Sequence, residues 1–250
     1  MRTRGVSMLL VVVAAAGCGS PAPATAQSDG LTVFAAASLA DAFEDLAVEF
    51  ERRNDGLEVR LNLAGSQTLA GQLLDGAAAD VFAAADDVEM ARVVAAERAA
   101  DPRTFATNDL VIAVEPGNPR DVATLQDLAR EDLLVVLPIG DVPAGRYAAA
   151  ALERADVEVA PVSLELDVRA ALGKVVLGEA DAAIVYASDV AAVGGRAQVV
   201  PLPSGLAPGI GYPVAVIADS HRSDLAAAFV DLLLEPTGRD LLRRHGFGAP

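Results

Sequence analysis

The sequence is poor in aromatic residues, cysteine and basic residues, and these shortages limit how the core is built, which covalent links form and which partners the protein binds. Only 4% of the 250 residues are aromatic and none is tryptophan, so alanine, valine and leucine must build the core. A single cysteine excludes a disulfide bridge within the chain. The 19 basic residues are outnumbered by 35 acidic ones, at a formal charge of -16, which argues against binding to nucleic acid or to anionic lipid head groups.

Long apolar runs are also absent after the N-terminus, and the N-terminal run predicts export. Residues 8–16 are apolar and follow two arginines, as in a signal peptide, and the run is too short to span a bilayer. Cys18 follows the letters AAG, which resembles a lipobox, where the cysteine becomes the lipidated first residue. Cleavage after residues 24–26 (ATA) is the alternative. We expect a signal peptide over residues 1–17 and a flexible tether over residues 18–30.

From Leu31 onward, short apolar runs alternate with amphipathic helical patterns, which predicts an α/β fold with mostly parallel sheets. The pattern comes in two series, so we expect two lobes with a ligand cleft between them, at the carboxyl ends of the strands. The first lobe would hold residues 31–108 and 209–250, and the second residues 109–208. Strands are predicted at 31–35, 57–63, 80–85, 109–114, 133–137, 162–166, 182–185 and 212–218, and helices from 38 and at 66–75, 147–155, 168–177, 224–234 and 237–245.

Three predicted strands lead into a helix through a hydroxyl or a small residue. These junctions are VFAAAS (33–38), LNLAGS (61–66) and DVPAG (141–145). The start of a helix carries free N–H groups and a partial positive charge, so converging starts would form an anion site without lysine or arginine. The pattern alone allows a simpler interpretation, in which Ser38 (paired with Asp41), Ser66 and Asp167 only cap helices and Tyr186 belongs to the core.

Signatures of catalysis or of metal binding are missing from the sequence. The chain has two histidines, whereas one zinc site needs three or four ligands, and the GSQ at 65–67 is not a G-x-S-x-G nucleophile elbow. Asp86 and Asp87 lack the spacing of a calcium loop and are predicted to lie on the solvated surface. Arg146 and Arg169 are the nearest candidates for a fork that would bind an organic anion, and otherwise belong to surface or hinge pairs.

Seven motifs in a fixed order resemble the molybdate-binding proteins of ABC transporters, over about residues 31–247. They are TVFAAASLADAF, AGSQTLAGQL, GAAADVFAAAD, VPAGRYA, DVRAALGKVVLGEADAAIVYASD, YPVAV and GFG. The resemblance implies a periplasmic-binding-protein fold of type II, in which two α/β lobes close over a buried oxyanion.

The resemblance also implies which residues contact the ligand. Ser38 and Ser66 would each offer a hydroxyl and a backbone N–H, Ala144 and Val168 a backbone N–H, and Tyr186 its phenol. The sequence departs from the family where GSQ replaces a more serine-rich stretch around Ser66. No catalytic residue or cofactor is implied, and the metal is held only as the oxyanion, by the same residues.

The implied function is high-affinity binding of molybdate or tungstate for delivery to an ABC transporter permease, by a monomer without enzyme activity. The protein would be exported, and periplasmic or anchored through Cys18 outside the cell membrane. Two alternatives stay open: a protein of the same fold that binds another anion such as sulfate, and a secreted α/β hydrolase. Molybdate and tungstate suit a donor-only site because they are fully deprotonated dianions at neutral pH, whereas phosphate keeps a proton.

Overall fold

The strands assemble into two separate five-stranded sheets. The structure is a computed structural model that describes residues 30–203, 205–206 and 209–250, so the predicted signal peptide and Cys18 lie outside the described residues. The first sheet has the order β2-β1-β3-β10-β4, from β1 Gly30–Ala36, β2 Glu58–Ala64, β3 Val81–Ala83, β4 Ala99–Asn108 and β10 Ile210–Ile217. The second has the order β7-β6-β8-β5-β9, from β5 Leu110–Val114, β6 Val135–Pro138, β7 Ser163–Glu165, β8 Ala182–Tyr186 and β9 Gln198–Pro201.

The two sheets have the same pattern of strand directions. In the first, β1 is parallel to β2 and β3, while β10 is antiparallel to β3 and β4. In the second, β6 is parallel to β7 and β8, while β5 is antiparallel to β8 and β9. Four strands of each sheet therefore run one way and a single strand runs the other way. The prediction of a mostly parallel α/β fold is confirmed.

Helices flank each sheet and define two lobes. They are α1 Ala40–Arg53, α2 Ser66–Leu74, α3 Asp87–Ala95, α4 Pro143–Arg154, α5 Val168–Val176, α6 Ala187–Ala192, α7 Ser223–Leu234 and α8 Pro236–Arg244. We call the first sheet with α1, α2, α3, α7 and α8 the first lobe, and the second sheet with α4, α5 and α6 the second lobe. Among the described residues, no helix combines the length and the apolar character that a membrane crossing requires.

The chain passes between the lobes twice. It leaves the first sheet at the end of β4 and enters the second through β5, and it returns from β9 to β10. The exact lobe boundaries, at 108/109 and 208/209, stay a prediction. The second crossing includes residues 204, 207 and 208, which lie outside the described part of the chain.

Most of the few aromatic residues gather in one cluster of edge-to-face and tilted contacts. Phe43 packs on Phe105 and Phe229, with ring centroids 5.8 and 6.0 Å apart. Tyr212 on β10 continues the cluster and lies 5.9 Å from Tyr186 at the end of β8. Such pairs contribute roughly 0.5–1.5 kcal/mol each beyond area burial. An aromatic-poor chain thus places its largest side chains in the core of the first lobe and at its junction with the second.

Candidate functional site

A small cavity lies between the lobes, where several helices begin. The empty space between its lining atoms, with the open solvent at its mouth included, is about 250 Å³. It is lined by Ala36, Ala37, Ser38, Gly65, Ser66, Ala85, Val142, Pro143, Ala144, Asp167, Val168 and Tyr186. The five residues that the resemblance implies as ligand contacts are all among them, and each is at most 5% exposed. The structure therefore brings together residues that lie up to 148 positions apart in the chain.

Backbone donors converge on this cavity from both lobes. In the first lobe, Ser38 lies in the 3-10 helix Ala37–Leu39 that precedes α1, and Ser66 is the first residue of α2. In the second lobe, Ala144 is the second residue of α4 and Val168 the first residue of α5. An N–H at such a position has no acceptor within its own helix. These groups and the helix dipoles favour an anion in the cavity.

Gly145 allows α4 to begin against the loop that follows β6. A Cβ atom at this position would lie 1.8 Å from the carbonyl oxygen of Ile139, which no side chain can tolerate. Pro143 occupies the first helical position, where its missing N–H leaves no bond unmade. The two residues therefore hold the N–H of Ala144 at the cavity.

The hydroxyls of Ser38 and Ser66 are bound to distant parts of the chain rather than to their own helices. Ser38 Oγ lies 3.0 Å from Tyr212 Oη, and Ser66 Oγ accepts from the N–H of Ala85 at 3.0 Å. Neither serine makes a capping bond to its own helix, so the prediction of simple helix caps is wrong for both. The prediction is confirmed for Asp167, whose carboxylate accepts from the N–H of Ala170 at 2.8 Å.

Tyr186 brings a third hydroxyl to the cavity. Its side chain is buried, at 1% exposure, and its hydroxyl has no hydrogen-bond partner among the described residues. Burial raises the pKa of Tyr186 well above its ordinary value, so the phenol keeps its hydrogen. An unpartnered donor at the wall of the cavity is available to a ligand. Tyr186 is thus buried, as a core residue would be, and also lines the cavity.

The cationic side chains near the cavity are engaged elsewhere. No lysine or arginine is among the lining residues. Arg146 binds the carboxylate of Asp86 and lies 3.0 Å from Glu89 Oε1, so it joins α4 in the second lobe to the first lobe. The side chain of Asp86 is only 2% exposed, and it also caps α3 by accepting from the N–H of Glu89. The prediction that Asp86 is solvated was wrong, and Arg146 provides no fork for an organic anion.

Arg169 makes a second ion pair between the lobes. Its Nη2 donates to Asp41 Oδ2 on α1 at 2.8 Å, and its Nε lies 3.6 Å from Asp189 Oδ1 in its own lobe. The guanidinium neighbours Val168 in sequence but is not among the groups that line the cavity. Together the two arginine pairs close the lobes over a cavity that has no charged group of its own except the capping carboxylate of Asp167.

The residues behind the serines include two that sequence reasoning missed. Tyr212 binds Ser38, and Asn108 at the end of β4 donates from Nδ2 to Tyr212 Oη at 3.2 Å. In the sequence each is only a polar side chain near one end of a strand, which is too common a feature to indicate a site. Among the described residues no group of histidine, cysteine and acidic side chains could hold a metal ion, and His245 pairs with Asp45 at 2.9 Å.

Comparison with known proteins shows the family. The sequence model described as bacterial extracellular solute-binding protein matches residues 31–248. The chain belongs to this family. The match begins at β1 and ends after α8, so it covers both lobes and the cavity between them.

Relatives within the family carry a molybdate-binding name. The chain is 36% identical to the molybdate-binding protein ModA of Mycobacterium tuberculosis, over 98% of this chain and 97% of that protein. It is 35% identical to ModA of Escherichia coli, over 90% of this chain and 91% of the relative. The resemblance to molybdate-binding proteins is thereby confirmed.

A solved structure supports the fold independently. The periplasmic molybdate-binding protein of Azotobacter vinelandii superposes with a TM-score of 0.77, at 18% identity, over 88% of this chain and 99% of that chain. At this identity the likeness concerns the fold. It confirms the expectation of a two-lobed periplasmic-binding-protein fold.

Proposed function

We propose that the protein binds molybdate, and tungstate in the same way, and delivers the anion to the permease of an ABC transporter. The observation that carries the proposal is a cavity between the lobes that offers hydroxyls and helix-start N–H groups, with no lysine or arginine. The ModA name of the full-length relatives supports molybdate as the anion.

Five residues would hold the oxyanion. Ser38 and Ser66 each donate from the hydroxyl and the backbone N–H, Ala144 and Val168 donate from the backbone, and Tyr186 donates from its phenol. Hydrogen bonds to a charged acceptor contribute roughly 1.5–3 kcal/mol each. Such a set, drawn from both lobes, can offset the loss of water around a dianion and completes its contacts only when the lobes are closed.

The predominance of donors in the cavity makes the proposal selective. The one carboxylate at the wall, Asp167, is engaged by the N–H of Ala170 through Oδ1. Molybdate, tungstate and sulfate carry no proton at neutral pH and can accept from every donor, whereas phosphate carries a proton that would oppose one of them. Buried polar groups without a partner weaken binding by about 1–3 kcal/mol each. We therefore expect phosphate to be excluded by its proton, and sulfate to be separated from molybdate by its smaller size.

Calorimetric titration of ligand-free protein with four anions tests the proposal. Molybdate and tungstate should bind much more tightly than sulfate, and phosphate should give no measurable heat of binding. Tighter binding of phosphate, or of a neutral sugar, than of molybdate would exclude the proposed ligand.

Two serine substitutions test the site itself. Ser38→Ala and Ser66→Ala each remove a hydroxyl donor and keep the N–H, so each should weaken molybdate binding by about 1–3 kcal/mol. Ser223→Ala, at the exposed start of α7, is the matched control and should bind as the wild type does. Wild-type affinity in both site variants would contradict the assignment.

The cellular setting follows from the same proposal. The protein acts as an exported monomer, periplasmic or anchored through a lipid on Cys18, and it has neither enzyme activity nor a cofactor. Membership of an extracellular solute-binding family supports export. The alternative of a hydrolase gains no support from the site, because Ser38 and Ser66 have no histidine beside them in the cavity.

A further inference from the structure

A buried chain of hydrogen bonds runs from the crossing between the lobes to the cavity. Asn108, Tyr212 and Ser38 are its members, and all three are at most 5% exposed. The chain joins Asn108 Nδ2 to Tyr212 Oη at 3.2 Å and Tyr212 Oη to Ser38 Oγ at 3.0 Å. A hydroxyl can donate or accept, so the direction of this chain decides what Ser38 presents to a ligand.

The orientation of the Asn108 amide is fixed by main-chain donors. Its Oδ1 accepts from the N–H of Asp109 at 2.9 Å and faces the N–H of Ser188 at 3.4 Å. A backbone N–H can only donate, so the amide oxygen has to lie on this side. The Nδ2 therefore points the other way, where its two hydrogens reach Ser188 Oγ at 2.7 Å and Tyr212 Oη.

In the next hydrogen bond of the chain, Tyr212 is the donor and Ser38 is the acceptor. Tyr212 Oη accepts from Asn108, and Ser38 Oγ is the acceptor within reach of its own hydrogen among the described residues. Burial raises the pKa of Tyr212, which keeps that hydrogen in place. A buried hydroxyl hydrogen is bonded wherever an acceptor is available, so Tyr212 donates to Ser38. The hydrogen of Ser38 is left for the cavity.

The hydroxyl of Ser66 also directs its hydrogen to the cavity, but a different donor fixes its direction. Its Oγ accepts from the N–H of Ala85, so its hydrogen is also left for the cavity. The donor here is main chain, which a side-chain substitution does not remove. Of the two serines, Ser38 alone depends on side chains for its direction, and this makes the idea testable.

We propose that Asn108 and Tyr212 are positioning residues that turn the Ser38 hydroxyl into an obligate donor and thereby select oxyanions without a proton. The proposal rests on the proposed function and adds a source for its selectivity. A ligand oxygen without a hydrogen accepts from the Ser38 hydroxyl and so extends the chain of hydrogen bonds. A ligand hydroxyl that points its hydrogen at Ser38 instead faces the hydrogen of Ser38, and no bond forms.

Substitution of Tyr212 tests the donor direction. Tyr212→Phe keeps the ring in the aromatic cluster and frees the Ser38 hydroxyl to donate or accept. Molybdate affinity should fall about 10-fold, from the loss of one oriented donor, and the ratio of molybdate to phosphate affinity should fall with it. Tyr147→Phe on α4, outside the cavity lining, is the matched control and should change neither.

Substitution of Asn108 tests the chain more sharply. In Asn108→Asp a carboxylate replaces the donor, so Tyr212 donates to it and accepts from Ser38, which turns the oxygen of Ser38 toward the ligand. Molybdate affinity should fall by more than in Tyr212→Phe. The added negative charge would also weaken binding, and the double variant separates the two causes. If direction is the cause, Asn108→Asp with Tyr212→Phe binds molybdate better than Asn108→Asp alone.

The outcomes are distinguishable from failure of the proposed function. Wild-type protein that does not bind molybdate overturns the function. Molybdate binding that Ser38→Ala weakens, but that Tyr212→Phe leaves unchanged in affinity and selectivity, overturns the positioning role alone. A double variant that binds no better than Asn108→Asp assigns the loss to charge and also overturns it. Circular dichroism of each variant confirms that the compared proteins are folded.

Discussion

Asp189 in α6 is a buried acid whose protonation should govern how stability depends on pH. Its side chain is 0% exposed, and its Oδ1 lies 3.6 Å from Nε of Arg169. Burial raises its pKa from 3.8 to about 7, although the nearby charge of Arg169 and the N–H of Tyr186 oppose the rise. The carboxylates of Asp167 and Asp41 reinforce it. Asp189 therefore changes charge near neutral pH.

The sign of the effect follows from proton linkage. Between about pH 4 and pH 7 the folded protein holds a proton on Asp189 that the unfolded chain has lost, so the free energy of unfolding falls as the pH rises. A change in pKa from 3.8 to about 7 corresponds to a penalty of up to about 4 kcal/mol, complete above pH 7 and absent below pH 4. Because the pKa of about 7 already reflects the attraction between Asp189 and Arg169, this penalty is the net effect of burial and of that ion pair.

Asp189→Asn removes the titrating group and keeps the size of the side chain. We expect the variant and the wild type to have similar free energies of unfolding near pH 4.5. At pH 8 the variant should be more stable, by as much as about 4 kcal/mol. Urea unfolding followed by circular dichroism, in buffer free of oxyanions, measures the difference at each pH.

A matched control separates this effect from a general response to pH. Asp181 is also largely buried, but the Arg120 side chain and the N–H of Leu134 outweigh burial and lower its pKa. Asp181→Asn should therefore destabilise the protein by the same amount at pH 5 and at pH 8. If the difference between wild type and Asp189→Asn is also the same at both pH values, Asp189 is ionised throughout and the reasoning about its burial is refuted.

Three further predictions concern binding and location. Tyr186→Phe should weaken molybdate binding by about 1–3 kcal/mol and leave the unfolding of the ligand-free protein unchanged, because the Tyr186 hydroxyl has no partner among the described residues. Titration calorimetry measures the affinity and thermal melts measure the stability. A loss of stability without a loss of affinity would argue against a ligand contact. Arg146→Ala breaks the inter-lobe pair with Asp86 and should lower molybdate affinity at least about 10-fold, whereas Arg120→Ala, within the second lobe, should not. Cys18→Ala should release the exported protein from membranes in cell fractionation, and retention of the variant there would contradict lipidation.

Much of the fold could be predicted from periodicity, and the exceptions have physical reasons. β1 and α5 differ from their predicted bounds by one residue at most, because apolar runs and Asp167 mark them clearly. The strand β4 was missed, since its sequence AADPRTFATN contains a proline and its first half is mostly exposed. The helix α6 was missed because it has only six residues, too few for a helical pattern to emerge. The helix α3 and the strand β9 were also missed, and α4 begins at Pro143, before its predicted start at Tyr147.

The site was less accessible to sequence reasoning, because its bonds join distant residues. The partner of Ser38 is Tyr212, 174 positions away, and no local pattern distinguishes that bond from a helix cap. Asp86 was predicted to be solvated for the same reason, because the arginine that binds its carboxylate, Arg146, lies in the other lobe. The five contact positions came from the resemblance to a family, whereas their hydrogen-bonding partners required the structure.

A crystal structure of the protein with bound molybdate, phased on the anomalous scattering of molybdenum, tests the central claim most directly. The account predicts one molybdenum peak per chain, in the cavity between the lobes. The four oxygens should lie within hydrogen-bonding distance of Ser38, Ser66, Ala144, Val168 and Tyr186, with no lysine or arginine in contact. A peak elsewhere, such as the groove beside Arg98 and His221 in the first lobe, or an oxyanion bound by an arginine side chain, would contradict it.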